Sequence, residues 1–288
     1  VTTPAGLAWS RERARLVGLG YRMLGDFGEA EDVVSDVAIE ALRKEASGGE
    51  VRSWEAWLTT VCVRRCIDRL RRLHAEREEY PGPWLPEPVA TERLPDEVAS
   101  GRELLSIAML HLAEQLDPHT RAAIVLHRAF GMTAVEIGPV LDRSPASVRQ
   151  LISRGERRLQ PREALPTRAA ASAIVERLVR AVENGDIAGV TELLTDDAVL
   201  WADGGGVVKS ALNPIFGATH IGRFFAGVLQ KAATQAEPIS ARAVEVNGEI
   251  ALSLSTYGLA DVIAFEWRDE RVCGIRRVSN PAKLTRAW

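Results

Sequence analysis

The sequence predicts a multidomain chain, two all-α domains followed by an α+β cone, on three observations. Apolar residues recur at helical spacing as far as Leu159, interrupted by a proline-rich stretch, Tyr80 to Pro88. The second helical block ends in two short helices separated by a tight turn. Past Pro161 and Pro166, helical spacing gives way to alternating runs divided by Gly and Asn-Gly breaks. The resulting bounds are 1–76, a linker at 77–100, 101–162, a second linker at 163–169, and 170–288.

In the first block, Arg13 to Gly25 carries Leu16, Leu19, Met23 and Leu24 on one helical face, and Gly25 ends it. A second helix is expected from about Glu29, burying Val33, Val34, Val37, Ala38, Ala41 and Leu42. Its other side carries Asp32, Ser35, Asp36, Ile39 and Arg43. An isoleucine among carboxylates on that outward face points to a protein partner. After Gly48-Gly49, a third helix has a seam of Trp54, Trp57, Leu58, Val61, Cys62, Cys66, Leu70 and Leu73, with Arg64, Arg65, Asp68, Arg71 and Arg72 opposite. Aromatics followed by arginines suit a single strand of nucleic acid, with planar faces for bases and cations for the backbone. Burial of Trp54 and Trp57 in the core is the competing reading. Cys62 and Cys66 lie one turn apart with no third ligand nearby in sequence, which favours core packing over metal.

The segment Tyr80-Pro81-Gly82-Pro83-Trp84-Leu85-Pro86-Glu87-Pro88 can be neither helix nor central strand, so an extended linker is expected, docked through Trp84 and Leu85. A helix from Gly101 to Leu116 and another from Asp117-Pro118 to Phe130 then support the paired short helices. Thr133 with Glu136 forms a capping box, and Ala134, Ile137 and Leu141 share a face up to Asp142. Pro139 is expected to remove a hydrogen bond and bend that helix. Ser144 followed by Pro145 starts the next helix, whose buried stripe is Val148, Leu151, Ile152, Gly155 and Leu159. Ser147, Arg149, Gln150, Ser153, Arg154, Arg157 and Arg158 are left to meet DNA. Arginine forks onto guanine and glutamine onto adenine, so Arg149 and Gln150 near the helix start suit bases, while Arg157 and Arg158 suit phosphates. This is a helix-turn-helix.

A hydrophobic fraction of 46% and a charged fraction of 26% are those of a globular protein, and the net charge of -3 conceals basic helices. Three cysteines, no signal peptide and no long apolar run predict a cytoplasmic protein with reduced thiols and no membrane association. In the last block, helices from Ala170 to Asn184, to near Leu194 and from Ile221 to Leu229 accompany strands at Ala198–Ala202, Ile239–Val246, Ile250–Leu259, Val262–Trp267 and Arg271–Val278. Asn247-Gly248 marks a hairpin, and an antiparallel curved sheet is expected.

RLVGLGYRMLGDFGEAEDVV, SWEAWLTTVCVRRCIDRLRR and SVRQLISRGERRL, in that order, closely resemble the extracytoplasmic-function group of bacterial sigma factors. The resemblance implies that the first two build region 2, which binds the polymerase clamp and melts the minus-10 element, and the third builds region 4, which reads the minus-35 element. It places Asp32, Ser35, Asp36 and Ile39 on core RNA polymerase. Arg64, Arg65, Asp68, Arg71 and Arg72, with Trp54 and Trp57, fall on minus-10 DNA, and Arg149, Gln150, Ser153, Arg154 and Arg157 on minus-35 promoter DNA. The family commonly has glycine where Asp142 stands. LLTDDAVLWADGGG, SNPAKL and YPGPWLPEP resemble the subgroup with a fused SnoaL-like domain, of the nuclear transport factor 2-like superfamily, that regulates the sigma regions in cis. That assigns regulatory contacts to Trp84, Leu85, Asp203, Gly204, Gly205, Gly206, Asn280, Pro281, Lys283 and Leu284. The family has lysine directly after the glycines, whereas here Val207 and Val208 precede Lys209. No catalytic residue, metal or cofactor is assigned. Two alternatives stay open: a DNA-binding regulator whose cone binds a small-molecule ligand or works as a cyclase or isomerase through Asp203 or His220, and a one-component repressor.

Overall fold

The computed structural model describes residues 3–95, 104–159, 166–234, 240–256 and 259–288. They form two compact units. The first draws on Val1–Glu78, Leu94–Leu105 and Met109–Pro161, the second on Glu79–Arg93, Ser106–Ala108 and Arg162–Trp288.

The first unit opens with α1 (Pro4–Leu24), α2 (Phe27–Ala46) and α3 (Trp54–Glu78). Both early starts lie ahead of the expected ones. Thr3 caps α1 by accepting the Gly6 amide with Pro4 at the first helical position, and Asp26 caps α2 by accepting the Glu29 amide. Gly25 leaves α1 in the left-handed conformation, φ 70°. Leu16, Leu19, Met23, Val34, Val37, Leu58, Cys62, Cys66 and Leu70 make the shared core. The two cysteines are reduced and buried, and the hydrogen bond that the Cys66 thiol makes to Cys62, together with burial, holds that thiol well above its usual range. Leu42, expected inside, is 54% exposed.

The expected helix at Gly101–Leu116 is shorter. Gly101, Arg102 and Glu103 lie outside the described residues, as do parts of both predicted linkers, and α4 spans Ile107–Ala113. Asp117 caps α5 (Pro118–Ile124), which runs into a π-helical turn, Val125–Ala129. The capping box of Thr133 and Glu136 is present on α6 (Ala134–Leu141), which continues past Pro139. Asp142 closes it at φ 54°, ψ 52°, the left-handed region that explains why glycine suits this position. α7 (Pro145–Leu159) begins where Ser144 Oγ accepts the Ser147 amide. A Cβ on Gly155 would stand 2.5 Å from Ile124 Cγ1, so glycine is what lets α7 lie against α5.

The second unit contains α8 (Arg168–Glu183), α9 (Ile187–Glu192), β1 (Leu194–Asp203), β2 (Ile215–Phe216), α10 (Ala218–Thr234), β3 (Ser240–Val246), β4 (Glu249–Thr256), β5 (Leu259–Arg268) and β6 (Arg271–Val278). The sheet order is β2-β1-β6-β5-β4-β3. The expectation of a wholly antiparallel sheet is corrected by one pair, since β1 runs parallel to β6. The long crossover through α10 and β3 to β5 makes that pairing possible. Asn247 and Gly248 join β3 to β4 with φ 55° and 75°, and Asp269 and Glu270 join β5 to β6 with φ 49° and 61°. Helices cover one face of the sheet around Leu178, Leu194, Phe225, Leu254 and Phe265. The other face buries Val246, Val262 and Val278 beneath Leu85, Leu284 and Ala287. The proline-rich segment, read from sequence as a linker, is therefore part of this unit, with Leu85 and Val89 fully buried.

Candidate nucleic-acid interface

On α7 the apolar stripe faces inward, with Val148, Ile152 and Leu159 buried, while Arg149, Gln150, Ser153, Arg154, Arg157 and Arg158 are exposed and Ser147 is half-buried. Arg149, Gln150 and Arg154 make no side-chain hydrogen bond among the described residues. Arg157 Nε donates to the Ser153 carbonyl at 3.2 Å, one turn back. Arg158 Nη1 donates to the Gln115 carbonyl at 3.0 Å, which ties α7 to the end of the preceding helical stretch. Its role is thus at least partly internal, a point the one-dimensional pattern did not contain.

The basic face of α3 is much more engaged. Trp54 and Trp57 are half-buried and meet edge to face with centroids 5.6 Å apart. Arg64 Nε donates to the Val140 carbonyl of α6 at 3.4 Å. Arg65 reaches back to α2, pairing with Glu40 at 2.6 Å and Asp36 at 3.4 Å. Asp68 and Arg71 pair with each other at 2.9 Å, and Arg72 is exposed. Arg64, Asp68 and Arg71 line a groove of about 550 Å³ whose other wall is His119, Val140, Leu141, Asp142 and Arg143.

On α2, Asp32, Ser35, Asp36 and Ile39 share the exposed side, and Ile39 is 47% exposed. Leu42 one turn on extends that apolar surface, and its exposure was missed. Arg69 was missed too. It clamps Glu29 of α2 with two hydrogen bonds of 2.5 Å, and the bond to Arg69 is what holds the Glu29 carboxyl below its usual range. Burial opposes that shift.

Where α3 meets the helix-turn-helix half of the unit, a buried ionic cluster joins them. Glu114 pairs with both Arg77 and Arg121, and Arg121 is 1% exposed. Arg77 Nη2 also donates to the Leu24 carbonyl at 2.9 Å, and Arg121 Nε to the Arg22 carbonyl at 3.2 Å. Burial pushes the Glu114 carboxyl up, but Arg121 and Arg77 together leave it below its ordinary value. Beside it, Phe130 lies under Arg15 and Arg22 at 5.6 and 5.9 Å, and burial lowers the Arg22 guanidinium to about 10. Arg77 stood in plain view in the sequence. It follows Cys66, Leu70 and Leu73 at helical spacing, and a charge on an apolar stripe signals a buried partner.

In the second unit the predicted regulatory residues converge on Asp203, which is fully buried. Its Oδ1 accepts from Tyr80 Oη at 2.6 Å and the Gly205 amide at 3.0 Å. Its Oδ2 accepts from the Leu85 amide at 2.9 Å and Lys283 Nζ at 2.7 Å. Lys283 also donates to the Leu85 carbonyl at 2.6 Å and lies 4.1 Å from the Trp84 ring centre and 5.0 Å from that of Tyr80. Asn280 Nδ2 donates to Tyr80 Oη at 2.9 Å, and its Oδ1 accepts the Ala282 amide in the short turn Pro281–Lys283. Gly205 stands at φ 61°, and a Cβ there would come within 2.4 Å of Asn280. Gly204 is buried, Gly206 abuts Pro81, and Leu284 is buried on the outer face of the sheet. The lysine that meets Asp203 is thus Lys283, from the other end of the domain, while Lys209 is exposed.

Catalysis by Asp203 or His220 finds no support. His220 is exposed with Nδ1 against the Phe216 carbonyl at 3.0 Å. The cone interior is a cavity of only about 20 Å³, lined by Leu178, Val182, Phe225, Leu252, Phe265 and other apolar residues. Neither candidate lines it. Among the described residues no group of His, Cys, Asp and Glu is placed to hold a metal, and no helix is long and apolar enough to cross a membrane.

Family models for Sigma-70 region 2 and Sigma-70 region 4 match residues 9–76 and 106–159. The chain is 33% identical to the ECF RNA polymerase sigma factor SigJ of Mycobacterium tuberculosis over 291 residues, 95% of this chain and 91% of that one. It is 30% identical over 202 residues to the probable ECF RNA polymerase sigma factor SigI of the same species, covering 66% of this chain and 67% of the relative. The crystal structure of SigJ superimposes with a TM-score of 0.77 at 29% identity, over 96% of each chain. Both family matches and the similarity over 95% of the chain place it among the extracytoplasmic-function RNA polymerase sigma factors.

Proposed function

We propose that this chain directs promoter-specific initiation by core RNA polymerase, with residues 1–76 acting as region 2, 101–162 as region 4 and 170–288 as a SnoaL-like regulator in cis. Asp32, Ser35, Asp36 and Ile39, extended by Leu42, meet the polymerase. Trp54, Trp57, Arg64, Asp68, Arg71 and Arg72 meet the minus-10 element, with Arg65 positioning α2 against α3. Ser147, Arg149, Gln150, Ser153, Arg154 and Arg157 meet the minus-35 element, and Arg158 steadies α7.

The observation that carries the regulatory part is the contact between Arg64 and Val140. Positions minus-35 and minus-10 are about 25 base pairs apart, roughly 85 Å of duplex at about 3.4 Å per step. Helix α3 held against the helix-turn-helix through α6 cannot reach one element while α7 reaches the other, so promoter engagement requires the first unit to open. The segment from Tyr80 to Ala90, which lies in sequence between the two regions, is fastened to the second unit through Asp203 and Lys283. This clasp sets how much chain is free to span the opened regions. The filled cone favours such a structural role over a ligand pocket.

Run-off transcription with core polymerase, comparing the full chain with Asp203→Ala and Lys283→Met, tests the reading. Promoter-specific transcripts whose yield changes severalfold in both variants are expected. Transcripts of unchanged yield would remove the clasp from regulation. Absence of transcripts from all three, with duplex binding intact, would favour a repressor.

A further inference from the structure

The groove between α3 and the helix-turn-helix is lined in part by the predicted DNA contacts Arg64, Asp68 and Arg71 and adds chemistry of its own. Three elements supply cationic or donor groups to it: Arg64 and Arg71 from α3, His119 from α5 and Arg143 from the turn before α7. Its acidic lining is Asp68 and Asp142, and Asp68 is already paired with Arg71. Arg143 and His119 make no side-chain hydrogen bond or ion pair among the described residues. His119 senses the balance. Burial, then Arg143 and Arg71, depress its imidazole below its usual range, while Asp117 and Asp68 pull the other way and lose. The groove lining carries Arg64, Arg71 and Arg143 against the carboxylates of Asp68 and Asp142.

We propose that this groove binds a phosphate-bearing small molecule of nucleotide size, held by Arg143, His119 and Arg71, and that it does so only while α3 and the helix-turn-helix are closed on each other. A volume of about 550 Å³ is ample for one such ligand. Guanidinium groups fork onto phosphate oxygens and His119 adds a ring donor. The apolar wall of Ile67, Val140 and Leu141 gives a base or other planar group something to rest on. A ligand that binds one arrangement stabilises it by mass action. It would hold the first unit closed and compete with the minus-10 strand for Arg71. The site stands on the groove alone, and only its effect on transcription rests on the sigma-factor reading.

The test uses the full chain with metal-free inorganic pyrophosphate and ATP as probes, at constant ionic strength, followed by calorimetry and by thermal unfolding. Saturable binding at one site is expected, weakened about tenfold by Arg143→Ala and severalfold by His119→Gln. Arg223→Ala, which removes an exposed charge from the second unit, should leave it unchanged. Labels on α3 and α7 should stay close in energy transfer when pyrophosphate saturates. Binding that ignores Arg143→Ala, or a stabilisation that chloride reproduces at the same ionic strength, overturns the proposal. So does a single-stranded oligonucleotide that binds with Arg143 dependence when pyrophosphate does not, because the groove would then be a DNA seat. Pyrophosphate binding with no change in run-off transcription would leave the site standing and remove its regulatory consequence.

Discussion

Two arginine-bearing helices, α3 and α7, differ in what their cations do. On α7, Arg149 and Arg154 project and make no side-chain hydrogen bond among the described residues, while Arg158 bonds to the Gln115 carbonyl. On α3, Arg64 bonds to α6, Arg65 and Arg69 clamp α2, Arg71 holds Asp68, and Arg77 is sealed in a cluster with Glu114 and Arg121. A solvated cation is available to a phosphate at little cost, whereas a paired or buried one must first be released. On the proposed reading, the minus-35 face is therefore ready as it stands, and the minus-10 face is gated by the fold around it.

The strongest way to break this contrast is to remove the lock on α3. Glu114→Gln leaves two guanidinium groups buried without their carboxylate and should cost about 3–5 kcal/mol in urea unfolding. It should also increase the α3 to α7 distance in energy transfer, and a variant as stable and as closed as the parent would show that the cluster does not gate. The same carboxylate gives a pH signature. Because its folded value is depressed, its contribution is present above the ordinary glutamate range and is lost as pH falls below roughly 4.3. The parent should lose stability there more steeply than Glu114→Gln, and parallel acid curves would assign the loss to other groups.

A smaller effect is expected on the open helix. Arg149→Ala should lower discrimination among minus-35 sequences by about 1–3 kcal/mol per lost base contact, with little change in folding stability. Uniform weakening on all sequences, measured over a duplex library, would make Arg149 a phosphate contact. Thr133→Ala, which removes the capping box at the start of α6, should destabilise by about 1 kcal/mol in the same unfolding assay. The smallest effect is on the rim of α3. Arg65 and Glu40 are about two-fifths exposed, so Arg65→Ala should cost less than about 1 kcal/mol, and less still in high salt. A larger loss would mean that the pairing of α2 with α3 depends on it.

Legibility in the sequence followed the range of the interactions. The α7 face, the capping box, the end of α6 at Asp142, the Ser144-Pro145 start and the Asn247-Gly248 hairpin all rest on groups within a few residues of one another, and each is present. Parallel pairing of β1 with β6 was not legible, because hydrophobic alternation is the same for either strand direction. Arg69 and Arg77 were read past, although their places beside the apolar seam signalled partners. The family's lysine directly follows the glycines, a place that Val207 takes here, and it is Lys283 that meets Asp203.

By itself, the sequence determined most of the elements, the arginine-rich faces of α3 and α7 and the family, because propensity, capping and side-chain identity act locally and survive in any arrangement of the chain. Only the tertiary structure decided which charges are free and which are spent. Tyr80 meets Asp203 across 123 residues and Arg64 meets Val140 across 76, contacts that exist only once distant segments are closed upon each other. The proline-rich segment shows the difference most plainly. Its composition forbade helix and central strand, but the buried carboxylate and the apolar sheet face that receive it made it part of a domain.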